Sequence, residues 1–230
     1  MSGGAIEYRP HPSCQIPGLG ALLAEHLGLK RDGCFVEVGA FDGEFCSNTS
    51  FLADLGWRGV FIEPVPPFAA ACRARHRGND VTVFECAIGA VEQPVTLSIG
   101  HVLTTADTQM AQAYGEIDWA RGLQSGHHLT VPQRRLESVL KEAKVKRHPE
   151  LLVVDVEGGE EGVFDSFDLG WWRPSLLIVE LEDKHASFQR FPAIVERARR
   201  LRARLLAQGY AQVYEDDVNT IFRDAGTRKR

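Results

Sequence analysis

An apolar run that ends in a glycine or a carboxylate marks a place where a buried strand comes to the surface, and this 230-residue sequence has four of them. In Phe35-Val36-Glu37-Val38-Gly39-Ala40-Phe41-Asp42-Gly43-Glu44 an apolar strand runs into a glycine, bends at Asp42-Gly43 and leads to a helix opening near Ser47-Asn48-Thr49. Gly39 would let a ligand approach the backbone, and Gly43 suits a tight turn. Glu37, Asp42 and Glu44 would repel a pyrophosphate, and neither GxxxxGK[ST] nor GxGxxG is present. A glycine turn rimmed by carboxylates suits a ligand carrying an amine or a sulfonium charge.

Glu63 closes the second run, Val60-Phe61-Ile62, and precedes Pro64. An acid at the end of a second strand is placed to accept both ribose hydroxyls of a nucleoside. A solvated strand-end charge is an equal reading for Glu63 alone; the glycine turn upstream favours the ribose. The third run, Leu151–Val154, meets Asp155, and Glu157 follows two residues on, on the same side while the strand persists. The competing reading, acids at the positive end of a helix, explains Glu160 better than Asp155. The fourth run ends in Glu180, Glu182 and Asp183, with His185 close behind. Asp155, Glu182 and Asp183 could make an oxygen-ligand magnesium or calcium site, against the competing reading of a solvated acidic turn. His185 is the general-base candidate, because neutral imidazole titrates near working pH; His127-His128 is the rival pair.

These residues need a scaffold that brings strand ends together. Strand patterns at Cys34–Val38, Gly59–Ile62 and Val81–Cys86 alternate with helical patterns at 47–55 and 67–76. The alternation resumes with strands at Leu151–Val156 and Leu176–Leu181 and helices at 160–167 and 191–206. Such alternation predicts right-handed crossovers and a parallel sheet, which binds ligands at its carboxyl edge. Leu19, Leu22, Leu23 and Leu27 predict a short amphipathic helix ahead of it. A fourth, shorter strand is expected at Val95–Ile99. Strand-like runs around Glu215-Asp216-Asp217 predict a terminal hairpin, followed by a frayed tail, Arg228-Lys229-Arg230. Residues 1–32 read as an arm and short helix, and 33–230 as one domain with a polar insertion at about 101–130. That insertion, with a short helix near Ala111–Tyr114, reads as a lid or binding element.

Composition narrows the function. Hydrophobic residues make up 44% and charged residues 25%, as in an ordinary globular protein. A net charge of −5 argues against nucleic acid. No apolar stretch approaches a membrane span, and the N-terminus lacks a secretory pattern. The five scattered cysteines read as reduced thiols in a cytoplasmic protein. The arginine-rich stretch 197–204 reads as a solvated helix face, and Trp171-Trp172 as packing residues.

Seven pieces, taken together, resemble the FkbM-type methyltransferases. They are FVEVGAFDGEFCSNT (35–49), GWRGVFIEP (56–64), AIG (87–89), RLESVL (135–140), LLVVDVEGGEEGVF (151–164), RPSLLIVELE (173–182) and GYAQVYEDDVNTIF (209–222). The resemblance implies a Rossmann-like, class I methyltransferase fold: an α/β protein with a mostly parallel seven-stranded sheet and a C-terminal antiparallel hairpin. It also implies S-adenosylmethionine as cofactor. Glu37, Gly39 and Asp42 would line its methionine end with Ser47 and Asn48 nearby, Glu63 and Pro64 would meet the ribose, and Ala87 the adenine. Many relatives carry a lysine before the DVEG aspartate, where this chain has Val154, and alanine where it has Gly159. The implied reaction is O-methylation of a sugar or natural-product hydroxyl in a small-molecule acceptor. His185 and Asp155 are the catalytic candidates, and Asp155, Glu182 and Asp183 a Mg2+ set. Met110, Tyr114 and Trp119 of the insertion would cover the acceptor. A homo-oligomer is compatible with this reading. A nicotinamide-dependent oxidoreductase and a catalytically silent nucleoside-binding protein are the alternatives.

Overall fold

The structure is a computed structural model that describes residues 6–226. Seven strands form its main sheet: β1 (Cys34–Val38), β2 (Arg58–Ile62), β3 (Val81–Phe84), β4 (Leu151–Val154), β5 (Leu176–Glu180), β6 (Tyr210–Glu215) and β7 (Asn219–Asp224). Their order is β3-β2-β1-β4-β5-β7-β6. The first five are mutually parallel, and β7 runs antiparallel to both β5 and β6. The expected α/β class, the mostly parallel seven strands and the antiparallel hairpin are all present. The sheet turns direction between β1 and β4, the switch point at which such sheets open a crevice.

Residues of β1, β2, β4 and β5 alternate between two apolar layers, because successive strand side chains point to opposite faces. Val36, Val38, Val60, Ile62, Leu152, Val154, Leu177 and Val179 pack into one core. It is covered by α6 (Leu136–Glu142), α7 (Glu160–Phe164), α8 (Leu169–Trp172) and α9 (Pro192–Ala207). Phe35, Phe61, Leu151, Val153, Leu176 and Ile178 pack into the other, against α1 (Leu19–Leu27), α2 (Ser50–Asp54) and α3 (Pro66–Arg75). Burial on both faces is the reason these strands read as continuous apolar runs.

The N-terminal arm is irregular, as its prolines require, but it is not loose. Tyr8 and Ile16 are buried in the second core, and the Tyr8 hydroxyl donates to the Gly28 carbonyl at 2.9 Å. The insertion holds a one-turn helix at His101–Leu103, then α4 (Thr108–Glu116), which contains the short helix expected near Ala111–Tyr114, and α5 (Asp118–Arg121), so its helical content exceeds that expected. Asp107 caps α4 through the Met110 amide at 2.7 Å. Met110, Ala113 and Tyr114 pack on Phe188, Ile194 and Val195, which seats the insertion on the start of α9.

Three expectations change. The strand at Val95–Ser98 forms, but it pairs antiparallel with His128–Val131 outside the main sheet. The helix read over 47–55 begins only at Ser50, because Ser47, Asn48 and Thr49 are engaged elsewhere. The helix read over 160–167 stops at Phe164, where the Ser166 hydroxyl donates to the Val163 carbonyl and accepts the Leu136 amide. The arginines of α9 are partnered: Arg197 with Asp107, Arg200 with Glu161, Arg202 with Asp183 and Arg204 with Asp165. Trp172 is buried, whereas Trp171 is exposed beneath the Arg147 guanidinium. All five cysteines are free thiols. No helix among the described residues is long and apolar enough to cross a membrane. The basic tail lies outside the described residues.

Candidate active site

Register places the site. Val38 pairs with Ile62 on one side and Val154 on the other, and Val154 pairs with Val179. The residues that follow this row, Gly39, Glu63, Asp155 and Glu180, therefore emerge at one level on the carboxyl edge of the sheet. A cavity of about 270 Å³ opens there. Five acidic side chains line it (Glu37, Glu63, Asp155, Glu157 and Glu180), and among the described residues no lysine or arginine does. Phe41, Phe68, Ile88 and Leu97 add apolar walls, and His101 sits at 4.7 Å from the Phe41 ring.

Glu63 is held firmly. Its Oε2 accepts the Phe41 amide at 2.9 Å and its Oε1 the Val65 amide at 2.8 Å. Burial pushes its carboxyl up to about 7, against the pull of those two amides. Phe41 presents its amide from a left-handed conformation, φ 48°, which the turn at Gly43 follows. Each Glu63 oxygen keeps a lone pair for a donor in the cavity.

Glu37 faces the cavity and also braces the loop beside it. Its carboxylate accepts the hydroxyls of Ser47 and Thr49 and the Asn48 amide. It lines the cavity, with Oε2 holding both hydroxyls and Oε1 the single amide, and burial raises it to about 7. Gly39 also has an internal cause: a Cβ there would stand 1.7 Å from the Asp155 carbonyl oxygen. The close approach at Gly39 is thus between two strand ends. Asp42 is turned out of the cavity, with its Oδ1 accepting the Glu44 and Phe45 amides. Asn48 is buried behind the lining and donates to Gln15. Ser47, Pro64 and Ala87 do line the cavity.

Beyond β4 and β5 the acids crowd together. Oxygens of Asp155, Glu157 and Glu180 lie within 4.8 Å of one another, and so do those of Glu160, Glu180 and Glu182. Asp155 Oδ2 accepts the Gln15 amide at 3.0 Å. Glu157 accepts the hydroxyl of Tyr114, and its backbone is left-handed, φ 57°. Burial first, then the repulsion of neighbouring carboxylates, raises Glu157 and Glu180 well above the usual carboxylate range.

Two expected residues fall elsewhere. Asp183 is buried, and both its oxygens are taken by the Arg202 guanidinium at 2.9 and 2.6 Å, so it has no place in a metal set. His185 does not line the cavity; its Nδ1 accepts the Ser187 amide at 3.2 Å and caps the turn at Ala186–Phe188. Its ring lies 5.8 Å from that of Trp119, which does reach the cavity. Sequence reasoning passed over Gln15, hidden in a proline-rich arm, and did not assign Glu180 a role although it ends an apolar run. It placed Tyr114 over the acceptor without foreseeing its bond to Glu157.

Comparison with known proteins gives one match to a family, over residues 37–215, described as the methyltransferase FkbM domain. A search of curated proteins gave no match. Among solved structures, an O-methyltransferase of tomaymycin synthesis from Streptomyces achromogenes, in complex with SAM, is 17% identical with a TM-score of 0.46; the alignment covers 89% of this chain and 77% of that one. An O-methyltransferase from Bacillus cereus in complex with SAH is 14% identical, TM-score 0.46, covering 92% and 82%. A putative O-methyltransferase from Klebsiella pneumoniae is 12% identical, TM-score 0.47, covering 94% and 83%.

Proposed function

The chain belongs to the FkbM methyltransferase family, and on that premise we propose that its cavity binds S-adenosylmethionine and directs the methyl group to a hydroxyl of an uncharged small molecule, such as a sugar or natural product. The observation that carries this reading is the composition of the lining: among the described residues, five acidic side chains and no lysine or arginine face the cavity. Such a lining offers acidic oxygens to a sulfonium and no cation to a pyrophosphate, which argues against a dinucleotide. It equally disfavours a phosphorylated or carboxylated acceptor.

The residues fit the nucleoside. Glu63, fixed by two backbone amides, offers its remaining lone pairs to the ribose hydroxyls. Phe68, Ala87, Ile88 and Leu97 form an apolar wall for the base. Glu37 acts one step back, holding the Ser47–Thr49 loop against the cavity. When bound, S-adenosylmethionine supplies an electrophilic methyl group on a positively charged sulfur.

The chain's remaining tasks are placement and proton removal. Alignment of reacting groups is worth roughly 7–11 kcal/mol of barrier. A hydroxyl also needs help to lose its proton at neutral pH, worth about 10²–10⁴-fold. Asp155 is the base this geometry favours in place of His185. It faces the cavity, one oxygen is fixed by Gln15, and the other can take a proton from the acceptor. Glu157 and Glu180, both buried enough to favour their protonated forms, flank it. Trp119 and Val102 of the insertion complete the wall on the acceptor side.

Calorimetric titration with S-adenosylhomocysteine, followed by labelled-methyl transfer to a panel of sugar and polyketide hydroxyls, tests the reading. Saturable binding together with label on oxygen is expected. Failure to bind the nucleoside overturns the cofactor assignment. Label found on nitrogen or carbon overturns the assignment to oxygen.

A further inference from the structure

Glu160, Glu180 and Glu182 come from the first turn of α7, the end of β5 and the loop beyond it. One carboxylate oxygen from each lies within 4.8 Å of the other two. Glu160 and Glu182 are each only 4% exposed, and Glu180 alone of the three reaches the cavity. Oε1 of Glu182 and Oε2 of Glu180 are buried and have no hydrogen-bond partner among the described residues. Glu160 is oriented by the Val156 and Gly158 amides, both donating to its Oε1 at 3.1 Å.

Charge around the cluster is unbalanced. Asp155 and Glu157 stand beside it on the β4 side, adding two more carboxylates. On the α9 side the Arg197 guanidinium is close enough to favour ionised Glu182; its Nη1 is paired with Asp107 at 2.8 Å and its buried Nη2 has no hydrogen-bond partner among the described residues, so one cation faces the whole group of acids. Tyr114, from α4, brings only a neutral hydroxyl, already given to Glu157. Buried acids in this number need a cation or a shared set of protons, since an unpaired buried charge is costly.

We propose that Glu160, Glu180 and Glu182 bind one divalent, oxygen-preferring cation at the inner wall of the cleft. The donor set is all oxygen, which suits calcium, magnesium or manganese rather than zinc or copper. Such an ion supplies the counter-charge that these buried carboxylates need and ties the end of β5 to the start of α7. It also fixes the charge of Glu180, the ligand that reaches the acceptor side. This set differs from the expected Asp155, Glu182 and Asp183, because Asp183 belongs to Arg202.

The test uses the full chain, stripped with EDTA, dialysed and titrated with Mn2+ under electron paramagnetic resonance, with Ca2+ and Mg2+ as competitors. One saturable Mn2+ site is expected, displaced by one of the two competitors and at least about tenfold weaker in both Glu182→Gln and Glu180→Gln. Asp183→Asn should keep the Mn2+ affinity of the parent. Circular dichroism establishes that each variant is folded before it is scored. Absence of saturable Mn2+ binding to the parent chain overturns the proposal, and so does stoichiometric binding that survives both glutamine substitutions. S-adenosylhomocysteine affinity, measured on the same stripped protein, judges the nucleoside site separately.

Discussion

The side-chain amide of Gln15 donates to Asp155 Oδ2 at 3.0 Å, joining two residues 140 positions apart. The same side chain accepts the Asn48 amide through its Oε1 at 2.9 Å. One residue of the N-terminal arm thus clasps the glycine-turn loop to the end of β4, at the point where the acceptor's proton would leave.

Gln15→Ala should weaken this clasp on both sides. A hydrogen bond to a charged group contributes about 1.5–3 kcal/mol, so turnover should fall roughly 10- to 100-fold. S-adenosylhomocysteine affinity should change much less, because Glu63 and the base wall are untouched. Steady-state kinetics beside calorimetry separates the two, and an unchanged kcat would remove Gln15 from the positioning of Asp155.

Glu63→Ala removes both oxygens that the proposed reading assigns to the ribose. At about 1.5–3 kcal/mol per charged hydrogen bond, the nucleoside should bind at least about 100-fold more weakly. Glu63→Gln, which retains one acceptor oxygen, should fall between this variant and the parent. Titration calorimetry reads all three, and equal affinities would contradict the ribose role.

Gly39→Ala should be among the most damaging small substitutions in the chain. The new methyl would meet the Asp155 carbonyl at 1.7 Å, and the backbone there has φ 92°, where an alanine is strained. Overpacking and backbone strain of this kind cost about 1–3 kcal/mol each. Urea unfolding should show the loss even without ligand. A variant with parental stability and lost nucleoside binding would return Gly39 to the role of a ligand contact.

Stability should depend on pH in an unusual direction. Glu37, Glu63 and Glu160 sit near 7 in the folded chain, raised by burial from an ordinary 4.5. Between those values the folded state holds protons that the unfolded chain has released. Their contribution is therefore complete below 4.5 and is lost as the pH rises through 7. Melting temperature should fall between about pH 5.5 and about pH 8 at constant ionic strength, and Glu63→Gln should flatten the slope. A parental slope in that variant would show that Glu63 is not a source of the effect.

Local pattern carried much of this protein. Period-two burial on both faces makes β1, β2, β4 and β5 legible as apolar runs, and the acid or glycine ending each run marks the carboxyl edge. The motifs that resemble the FkbM family lie on those same strand ends, so class, topology and the place of the cleft follow from the sequence alone. What it could not decide was which carboxylate oxygens are free. Glu37, Asp42 and Asp183 look as available as Glu63 and Asp155 in a string of letters. In the folded chain the first also braces residues 47–49, the second is held by its own turn and the third by Arg202, nineteen positions away. Strand and helix periods are local, within a few residues. Hydrogen-bond partners are settled by packing between distant segments, so Gln15 reaching Asp155, or a buried Glu182 left beside Glu160 and Glu180, exists only once the sheet has closed.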